Sequence, residues 1–517
     1  MTSAPSTPTK SSPPTTPYQE LVVMLKQTNL LGSSSAILSW DQETMMPSQG
    51  LAFRAEQLAQ LARFQHVHAT DPKLGDLLGE CESDSQLMSD PLSSAAVNVR
   101  EARHKYDRAT KLPVELVEEL AKLSSLARHE WAEARRDSDF KRFLPWFEKT
   151  VELKQQEAKC FGWADDGEPW DALAEDYEPG CTAADVEKVF TPLREKLHKL
   201  IMQLTNSSTK PSGKFNQHKL PIDQQEKFVR YVSEQFGFDY TRGRLDRSTH
   251  PFCSGTHCND VRLTTRFSEN FVIDALGSTL HESGHGIYEQ GLLYEHIGTP
   301  MGHAISLGIH ESQSRMWENQ VGRCLAFWKW CHPKLTDFFG SAVDGFTLEE
   351  VFGASNIVTP DYIRVEADEA TYNMHIMIRF DLERGLLSGD LKPADVPGVW
   401  NAKYKDYLGI DIPDDRRGCL QDIHWSMGSM GYFPTYTLGN LYAAQLYDKA
   451  QADIPDLHDQ FEAGEFGALK TWLNKNIHSH GQRYRAADLC EHVTGKALSA
   501  DPLMQHLQGK LRPLYGI

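Results

Sequence analysis

The chain has little of what marks membrane proteins and nucleic-acid-binding proteins. Its 517 residues contain no apolar run that approaches the ~20 residues a transmembrane helix needs. Basic side chains are the minority, with 53 Lys and Arg against 71 Asp and Glu, for a formal net charge of −18. No stretch rich in Lys or Arg resembles a phosphate-binding surface. The composition therefore predicts a protein that binds neither membranes nor nucleic acid.

The N-terminus and the cysteines lack the features of a secreted protein. Residues 1–17, MTSAPSTPTKSSPPTTP, are rich in Ser, Thr and Pro and contain no apolar segment, which predicts a disordered extension rather than a signal peptide. The nine cysteines are an odd number scattered along the chain, which is typical of reduced thiols. We therefore expect a cytoplasmic protein in which residues 18–517 form a single domain.

Strand patterns are few, and helix patterns dominate. Three segments place apolar residues at spacings of three and four, namely 112–138, 183–204 and 221–237. The clearest strand is 260–267, DVRLTTRF, in which the side chains alternate. The pattern predicts a mainly α fold with a small sheet beside the motif described next. It also predicts segment 260–267 as an edge strand able to pair with an extended peptide.

The segment TLHESGHGIYEQG, residues 279–291, contains a His-Glu-x-x-His motif. His281 and His285 are four residues apart and therefore share one face of a helix, where both imidazoles can bind one metal ion. Glu282 follows the first histidine and is placed to reach a water molecule on that ion. The motif predicts a hydrolytic metal site with Glu282 beside it.

A catalytic metal of this kind usually has a third protein ligand. The longer motif His-Glu-x-x-His-x-x-Gly-x-x-His is excluded, because Tyr288 and Gly291 occupy the positions of its glycine and its last histidine. A glutamate on a following helix is the remaining common choice, and Glu311 lies 311 − 285 = 26 residues further on. Glu289 and Glu295 stay open as alternatives on position alone, although Glu289 would stretch the site.

Several ordered motifs carry a resemblance to a known family. They are HPF at 250–252, DVRLT at 260–264, HESGH at 281–285, HESQ at 310–313 and GCLQDIHW at 418–425. In this order and spacing they resemble the carboxypeptidase Taq family of metallocarboxypeptidases. Four longer segments are also similar to that family: 38–47, 175–180, 363–379 and 430–440. The resemblance covers nearly the whole chain after the N-terminal extension, and 207–221 departs from it like an insertion.

The resemblance implies a mostly helical enzyme with a long groove, flanked by two helical lobes and usually present as a homodimer. Such an enzyme removes single residues from peptide C-termini with zinc or cobalt. Carried over to the matching positions, the family's metal ligands are His281, His285 and Glu311, and its general base is Glu282. We therefore expect one divalent ion per chain, zinc before cobalt, and peptides with a free C-terminus as substrates.

Two further tasks need side chains besides the metal ligands. The oxyanion that develops during hydrolysis needs hydrogen-bond donors, for which His424 and Tyr432 are the candidates and Tyr436 is an alternative. A carboxypeptidase must also bind the free carboxylate of its substrate, and the fixed, charged fork of arginine suits that task. Arg364, in an acidic segment, and Arg262, in the predicted strand, are the two candidates.

Two other functions fit the same motifs. A dipeptidyl carboxypeptidase or an oligopeptidase of the same zinc-helix class would differ in how far the groove extends past the cleaved bond. A non-catalytic peptide-binding protein with a relic site is disfavoured, because the base Glu282 and all three ligands are present. The sequence thus predicts a metallocarboxypeptidase first and these two alternatives after it.

Overall fold

The computed structural model describes residues 16–270 and 272–517. Its first helix, α1, is Pro17–Thr44 and begins with a capping box. In this box the hydroxyl of Thr16 accepts a hydrogen bond from the N–H of Gln19, and the Gln19 side chain accepts one from the N–H of Thr16. Residues 1–15 of the predicted extension lie outside the described residues. The last two residues of that segment cap and start α1.

Helices dominate the described residues, as the sequence predicts. After α1 they are α2 (Leu51–Ala69), α3 (Pro72–Ser83), α4 (Ser94–Lys111), α5 (Val114–Asp137), α6 (Phe140–Phe161), α7 (Pro169–Ala174), α8 (Ala183–Thr205), α9 (Ile222–Gln235), α10 (Val272–Gly291), α11 (Leu307–Arg315), α12 (Leu325–Phe339), α13 (Leu348–Ala354), α14 (Tyr372–Ser388), α15 (Val396–Leu408), α16 (Pro434–Asp453), α17 (Leu457–Ala463), α18 (Gly467–Asn476), α19 (Ala486–Thr494) and α20 (Asp501–Tyr515). A π-helical segment, Met316–Val321, continues α11. The three segments with helical spacing correspond to α5, α8 and α9, so the prediction of a mainly α fold is confirmed.

Three short strands form the sheet that the sequence predicts beside the motif helix. They are β1 (Gly243–Arg247), β2 (Phe252–His257) and β3 (Asp260–Thr265). Their order is β1-β3-β2, with β1 parallel and β2 antiparallel to β3. The prediction of 260–267 as an edge strand is therefore wrong, because β3 pairs with a neighbour on each side. Val261 and Leu263 are fully buried, as expected of a central strand.

The motif helix α10 packs closely against both the sheet and α11. Gly286 faces the sheet, where a Cβ atom would lie 2.9 Å from Cδ2 of Leu263. Gly284 faces α11, where a Cβ atom would lie 2.5 Å from the carbonyl oxygen of Gln313. Because a larger residue would clash at either position, these two glycines let α10 approach both neighbours.

Buried apolar side chains form two clusters in the described residues. The larger one extends from Leu116 to Tyr515 and includes the sheet and α10. The smaller one joins α1, α3 and α4 through Leu21, Leu78 and Val99. None of the helices that the structure describes is long and apolar enough to cross a membrane. The nine cysteines, all within the described ranges, are free thiols.

Candidate metal centre and substrate groove

The three side chains predicted as metal ligands meet between α10 and α11. Nε2 of His281 lies 3.5 Å, and Nε2 of His285 lies 3.4 Å, from the same oxygen, Oε2 of Glu311. The three ligand atoms lie within 4.8 Å of one another, and no other such group occurs in residues 16–270 and 272–517. Two imidazole nitrogens and one carboxylate oxygen form the donor set of a catalytic zinc site with one open position. The residues present therefore fit a divalent metal ion.

The two alternative third ligands lie outside this cluster. Oε1 of Glu289 accepts a hydrogen bond from Nε2 of His310, at 2.8 Å. Glu295 is exposed in a 3-10 turn, Tyr294–His296. Of the three glutamates left open by their position in the sequence, Glu311 is the one that the fold brings to the histidines.

Charged partners surround the cluster. Nδ1 of His281 lies 2.9 Å from Oε2 of Glu318. Arg315 donates from Nε to Oε1 of Glu311, at 2.7 Å, and from Nη1 to Oε2 of Glu318, at 3.2 Å. Burial opposes the ionisation of Glu318, but the charge of Arg315 and the bond from His281 outweigh it and lower the pKa of Glu318 to about 2. The pKa of Glu311 is lowered too, despite burial, chiefly by Arg315.

Sequence reasoning missed Arg315 and Glu318, although helical spacing offered a signal for both. They follow Glu311 by 315 − 311 = 4 and 318 − 311 = 7 residues, so all three lie on one helix face. His310 and Asp422 were missed as well, although each stands inside a quoted motif. A search for charged partners at helical intervals from each metal ligand would have found the first two.

Glu282 is buried and lines a cavity of about 510 Å³ together with His281. Burial raises the pKa of Glu282 to about 7, while His281 lowers it and Glu311 raises it further. A carboxyl group with a pKa near neutrality suits a residue that accepts a proton and then returns it. The predicted base thus shares its cavity with a predicted metal ligand.

Arg364 lines the same cavity. Its Nε and Nη2 donate to Oδ1 of Asp422, at 3.0 and 2.9 Å, and its Nη1 donates to the hydroxyl of Tyr372, at 3.0 Å. The other oxygen of Asp422 accepts a hydrogen bond from Nε of Arg379, at 2.6 Å. One carboxylate is therefore shared by two guanidinium groups, so these three side chains together carry one positive charge.

Arg262 is bonded elsewhere. Its Nε and Nη2 donate to the two oxygens of Asp260, at 2.9 and 3.0 Å, and its guanidinium carbon lies 4.5 Å from the centre of the Trp40 ring. It does not line the 510 Å³ cavity. Of the two predicted arginines, the fold brings Arg364 to the cavity of Glu282 and leaves Arg262 in the sheet.

His424, Tyr432 and Tyr436 form an aromatic group next to Arg364. Nε2 of His424 lies 3.3 Å from the hydroxyl of Tyr436, and the ring centres of Tyr432 lie 5.2 Å from His424 and 5.3 Å from Tyr436. Among the three, Tyr436 lines the cavity. Burial, helped by the charge of Arg364, lowers the pKa of His424 to about 3, so this ring is neutral near pH 7.

A second cavity, of about 290 Å³, lies between α1 and β2. Residues 253–258 line it, as do Glu289 and His310. Nδ1 of His310 lies 2.5 Å from Nδ1 of the predicted ligand His285. The two cavities therefore adjoin the cluster at different residues, one at His281 and the other by way of His310.

The chain is similar to known metallopeptidases over nearly its whole length. The family model described as Carboxypeptidase Taq (M32) metallopeptidase matches residues 20–511. Thermostable carboxypeptidase 1 of Thermus thermophilus is 44% identical over an alignment of 510 positions, which covers 97% of this chain and 100% of that protein. Carboxypeptidase 1 of Bacillus subtilis is 35% identical and covers 96% of this chain and 98% of its own length. A solved carboxypeptidase from Deinococcus radiodurans is 39% identical, with a TM-score of 0.93 and coverage of 97% of this chain and 100% of that one.

Proposed function

The chain belongs to the carboxypeptidase Taq family of metallopeptidases, and on that premise we propose how its own residues release the C-terminal residue of a peptide. Members of this family are peptide hydrolases that use a divalent metal ion. The observation that carries the proposal is that one cavity adjoins the metal cluster, the buried Glu282 and the arginine Arg364. We propose that the enzyme removes one residue at a time.

His281, His285 and Glu311 are the proposed metal ligands. Their donor set suits zinc, with cobalt as the alternative. A bound divalent ion supplies Lewis-acid chemistry, because it polarises the substrate carbonyl and lowers the pKa of a water molecule toward about 7. Arg315 bonds to Oε1 of Glu311, and the hydroxyl of Ser314 donates to Oε2, the oxygen that faces both histidines and would bind the metal.

Glu282 is the proposed general base. Its carboxylate takes a proton from the attacking water and afterwards donates that proton to the amine that leaves. A pKa of about 7, raised by burial, permits both transfers near neutral pH.

The aromatic group beside Arg364 is proposed to donate hydrogen bonds to the developing oxyanion. His424 and Tyr432 are the candidates from the sequence, and Tyr436 gains support because it lines the cavity. Burial raises the pKa of both phenols, so each keeps the proton that a donor needs. Tyr436→Phe and Tyr432→Phe, compared by kcat on one peptide, identify the donor, since only the loss of the true donor lowers kcat strongly.

Arg364 is the proposed ligand of the substrate carboxylate. Asp422 and Tyr372 accept hydrogen bonds from three of its N–H groups, and a guanidinium has five, so two are left for the substrate. Arg262 is the weaker candidate, because it does not line the cavity of Glu282. Arg364 and Arg379 carry two positive charges and share the single negative charge of Asp422, which favours an anionic ligand here.

The rest of the peptide is proposed to lie in the 290 Å³ cavity along β2. If the C-terminal residue occupies the cavity of Arg364, the chain before it must pass the cluster toward His310. β2 is an edge strand, so the backbone groups on its outer side are available to an extended peptide. We therefore propose that β2, and not segment 260–267, pairs with the backbone of the substrate.

We also propose a homodimer with α2 at the interface. α2 has no buried residue, and Phe53, Phe64 and Val67 expose 66%, 47% and 59% of their surface. Apolar side chains exposed along one helix suit contact with a second copy of the chain. Phe53→Glu should shift the sedimentation coefficient from that of a dimer to that of a monomer, and a wild type that sediments as a monomer refutes the interface.

Residues 18–517 are proposed to work in the cytoplasm as a single domain with two helical lobes that flank the groove. The free thiols support a cytoplasmic location, because thiols stay reduced in the cytoplasm. Cell fractionation with an antibody to the protein tests this location. Limited proteolysis tests the domain, since a single domain yields no stable half.

The products of an N-terminally blocked peptide test the proposed reaction. We expect mass spectra with a ladder in which one residue at a time is lost from the C-terminus. Loss of two residues at a time would support the dipeptidyl alternative, internal cleavage the oligopeptidase, and no cleavage the binding protein. A second experiment removes the metal with a chelator, adds back one divalent metal at a time and measures the activity that returns. We expect zinc to restore activity best.

A further inference from the structure

The proposed ligand His285 is backed by a second histidine rather than by a carboxylate. Its Nε2 faces Glu311, and its Nδ1 lies 2.5 Å from Nδ1 of His310. The two rings are inclined by only 30°, with centres 4.5 Å apart, so they meet almost edge to edge. Nε2 of His310 lies 2.8 Å from Oε1 of Glu289. A line of hydrogen-bonding groups therefore runs from the metal ligand to a carboxylate.

The chemistry of imidazole fixes where the protons lie along this line. A neutral histidine that binds a metal through Nε2 carries its proton on Nδ1. His285 therefore donates to Nδ1 of His310, which accepts and carries no proton. The proton of a neutral His310 then lies on Nε2, where Oε1 of Glu289 accepts it. For two neutral histidines, only this arrangement gives each contact one donor and one acceptor.

We propose that His310 and Glu289 are positioning residues of the metal centre. His310 fixes the ring orientation and the tautomer of His285, and Glu289 fixes the tautomer of His310. The inference rests on the proposed metal site. Glu289 was an alternative metal ligand by its position in the sequence. Under this inference it bonds to His310 instead of to the metal.

The two proposed metal-binding histidines have different partners at Nδ1. His281 bonds directly to Glu318, at 2.9 Å, and does not contact His310 through either ring nitrogen. Loss of an outer partner of a metal-binding histidine typically weakens metal affinity about 10- to 100-fold. Removal of His310 should therefore weaken metal binding without abolishing it.

The test is the zinc dissociation constant of the full-length protein, measured by competition with a chelating dye. His310→Leu removes the acceptor for His285 and should weaken zinc binding roughly 10- to 100-fold. His310→Asn places an oxygen near the position of Nδ1 and should restore most of the lost affinity. Glu289→Leu should have an intermediate effect, because it leaves the N–H of His310 without its acceptor. Glu295→Leu, at an exposed site, is the matched control and should have none.

The melting temperature of the metal-free variants separates positioning from folding, since His310→Leu should still unfold in one cooperative transition. Zinc binding by His310→Leu as tight as in the wild type overturns the inference. If that variant does not fold, Glu289→Leu decides, and its unchanged affinity overturns the inference in the same way. Glu311→Ala in the same assay tests the metal site itself. Zinc retained there overturns the proposed site, whereas zinc lost there but kept in His310→Leu overturns the inference alone.

Discussion

The cavity beside Glu282 has two ends that are built in different ways. The proposed metal end lies at His281, and the end proposed to bind the substrate carboxylate, called the carboxylate end, lies at Arg364. The metal end comes from one stretch, residues 281–318, in which α10, α11 and the start of the π-helical segment follow one another. The carboxylate end joins distant segments, because Arg364 bonds to Asp422, 58 residues further along the chain, and lies 5.0 Å from the ring centre of Tyr436. The metal end therefore follows from helical spacing within one stretch of sequence, whereas the carboxylate end depends on tertiary contacts between distant segments.

The two ends also differ in how their ion pairs are arranged. At the metal end Arg315 bonds to both Glu311 and Glu318, and Arg323 bonds to the other oxygen of Glu318. At the carboxylate end Asp422 is shared by two guanidinium groups. Two imidazoles and one carboxylate oxygen suit a divalent cation, and two arginines that share one aspartate suit a carboxylate. Under the proposed function this difference orients the peptide, with its scissile carbonyl at the cluster and its free C-terminus at Arg364.

The largest effect is expected from a change at the metal end that spares the ligands. Glu282→Gln keeps the shape of the side chain but cannot accept a proton, so kcat should fall roughly 10²- to 10⁴-fold while the metal content is unchanged. Steady-state kinetics and metal analysis of one preparation check both parts. Glu295→Gln, at an exposed site, is the control. A Glu282→Gln enzyme with nearly full activity would remove this residue from the mechanism.

The next largest effect is expected at the carboxylate end. Arg364→Ala should lower kcat/KM for a peptide with a free C-terminus about 100-fold, because charged hydrogen bonds are worth about 1.5–3 kcal/mol each. The amidated form of the same peptide, a poor substrate of the wild type, should lose little. Arg262→Ala is the matched control and should leave the ratio of acid to amide near that of the wild type. Equal cleavage of both forms by the wild type would instead favour the oligopeptidase alternative.

A smaller effect is expected in the packing that supports the carboxylate end. Buried Glu383 accepts hydrogen bonds from the indole N–H groups of Trp170 and Trp425, at 3.2 and 2.9 Å, and from the N–H of Gly431, at 3.0 Å. Glu383→Gln places an amide NH₂ against these donors and should lower the free energy of unfolding by about 1–3 kcal/mol. Zinc affinity should not change, because the metal end is built locally. Urea unfolding and zinc titration check this, and a large loss of zinc affinity would mean that the two ends are not independent.

The metal end was largely predictable from the sequence. His281 and His285 share a helix face by spacing alone, and α10 forms as that spacing predicts. The third proposed ligand was not fixed by spacing, since Glu289 and Glu295 were also in range, and the resemblance to the family selected Glu311, which the fold brings to the histidines. The outer partner Glu318 was overlooked, although it lies on the same helix face as that ligand.

The other parts of the groove depend on contacts that the sequence does not encode locally. Arg364 and Arg262 were equal candidates, and they are separated by their positions in the fold, because Arg364 lines the cavity of Glu282 and Arg262 does not. The edge strand was misassigned because β2, FCSGTH, has no alternation of apolar and polar residues that would reveal it beside β3. Edge strands often carry such mixed sequences, so pairing with a neighbour is hard to read from one chain.

The metal content of the purified protein tests the central claim most directly, because every proposed step depends on the cluster between α10 and α11. We predict about one divalent ion per chain in the wild type and in the control Glu295→Ala. We predict loss of that ion in His281→Ala, His285→Ala and Glu311→Ala, since a three-ligand site that lacks one ligand binds poorly. Full metal content together with full activity in Glu311→Ala would contradict the account.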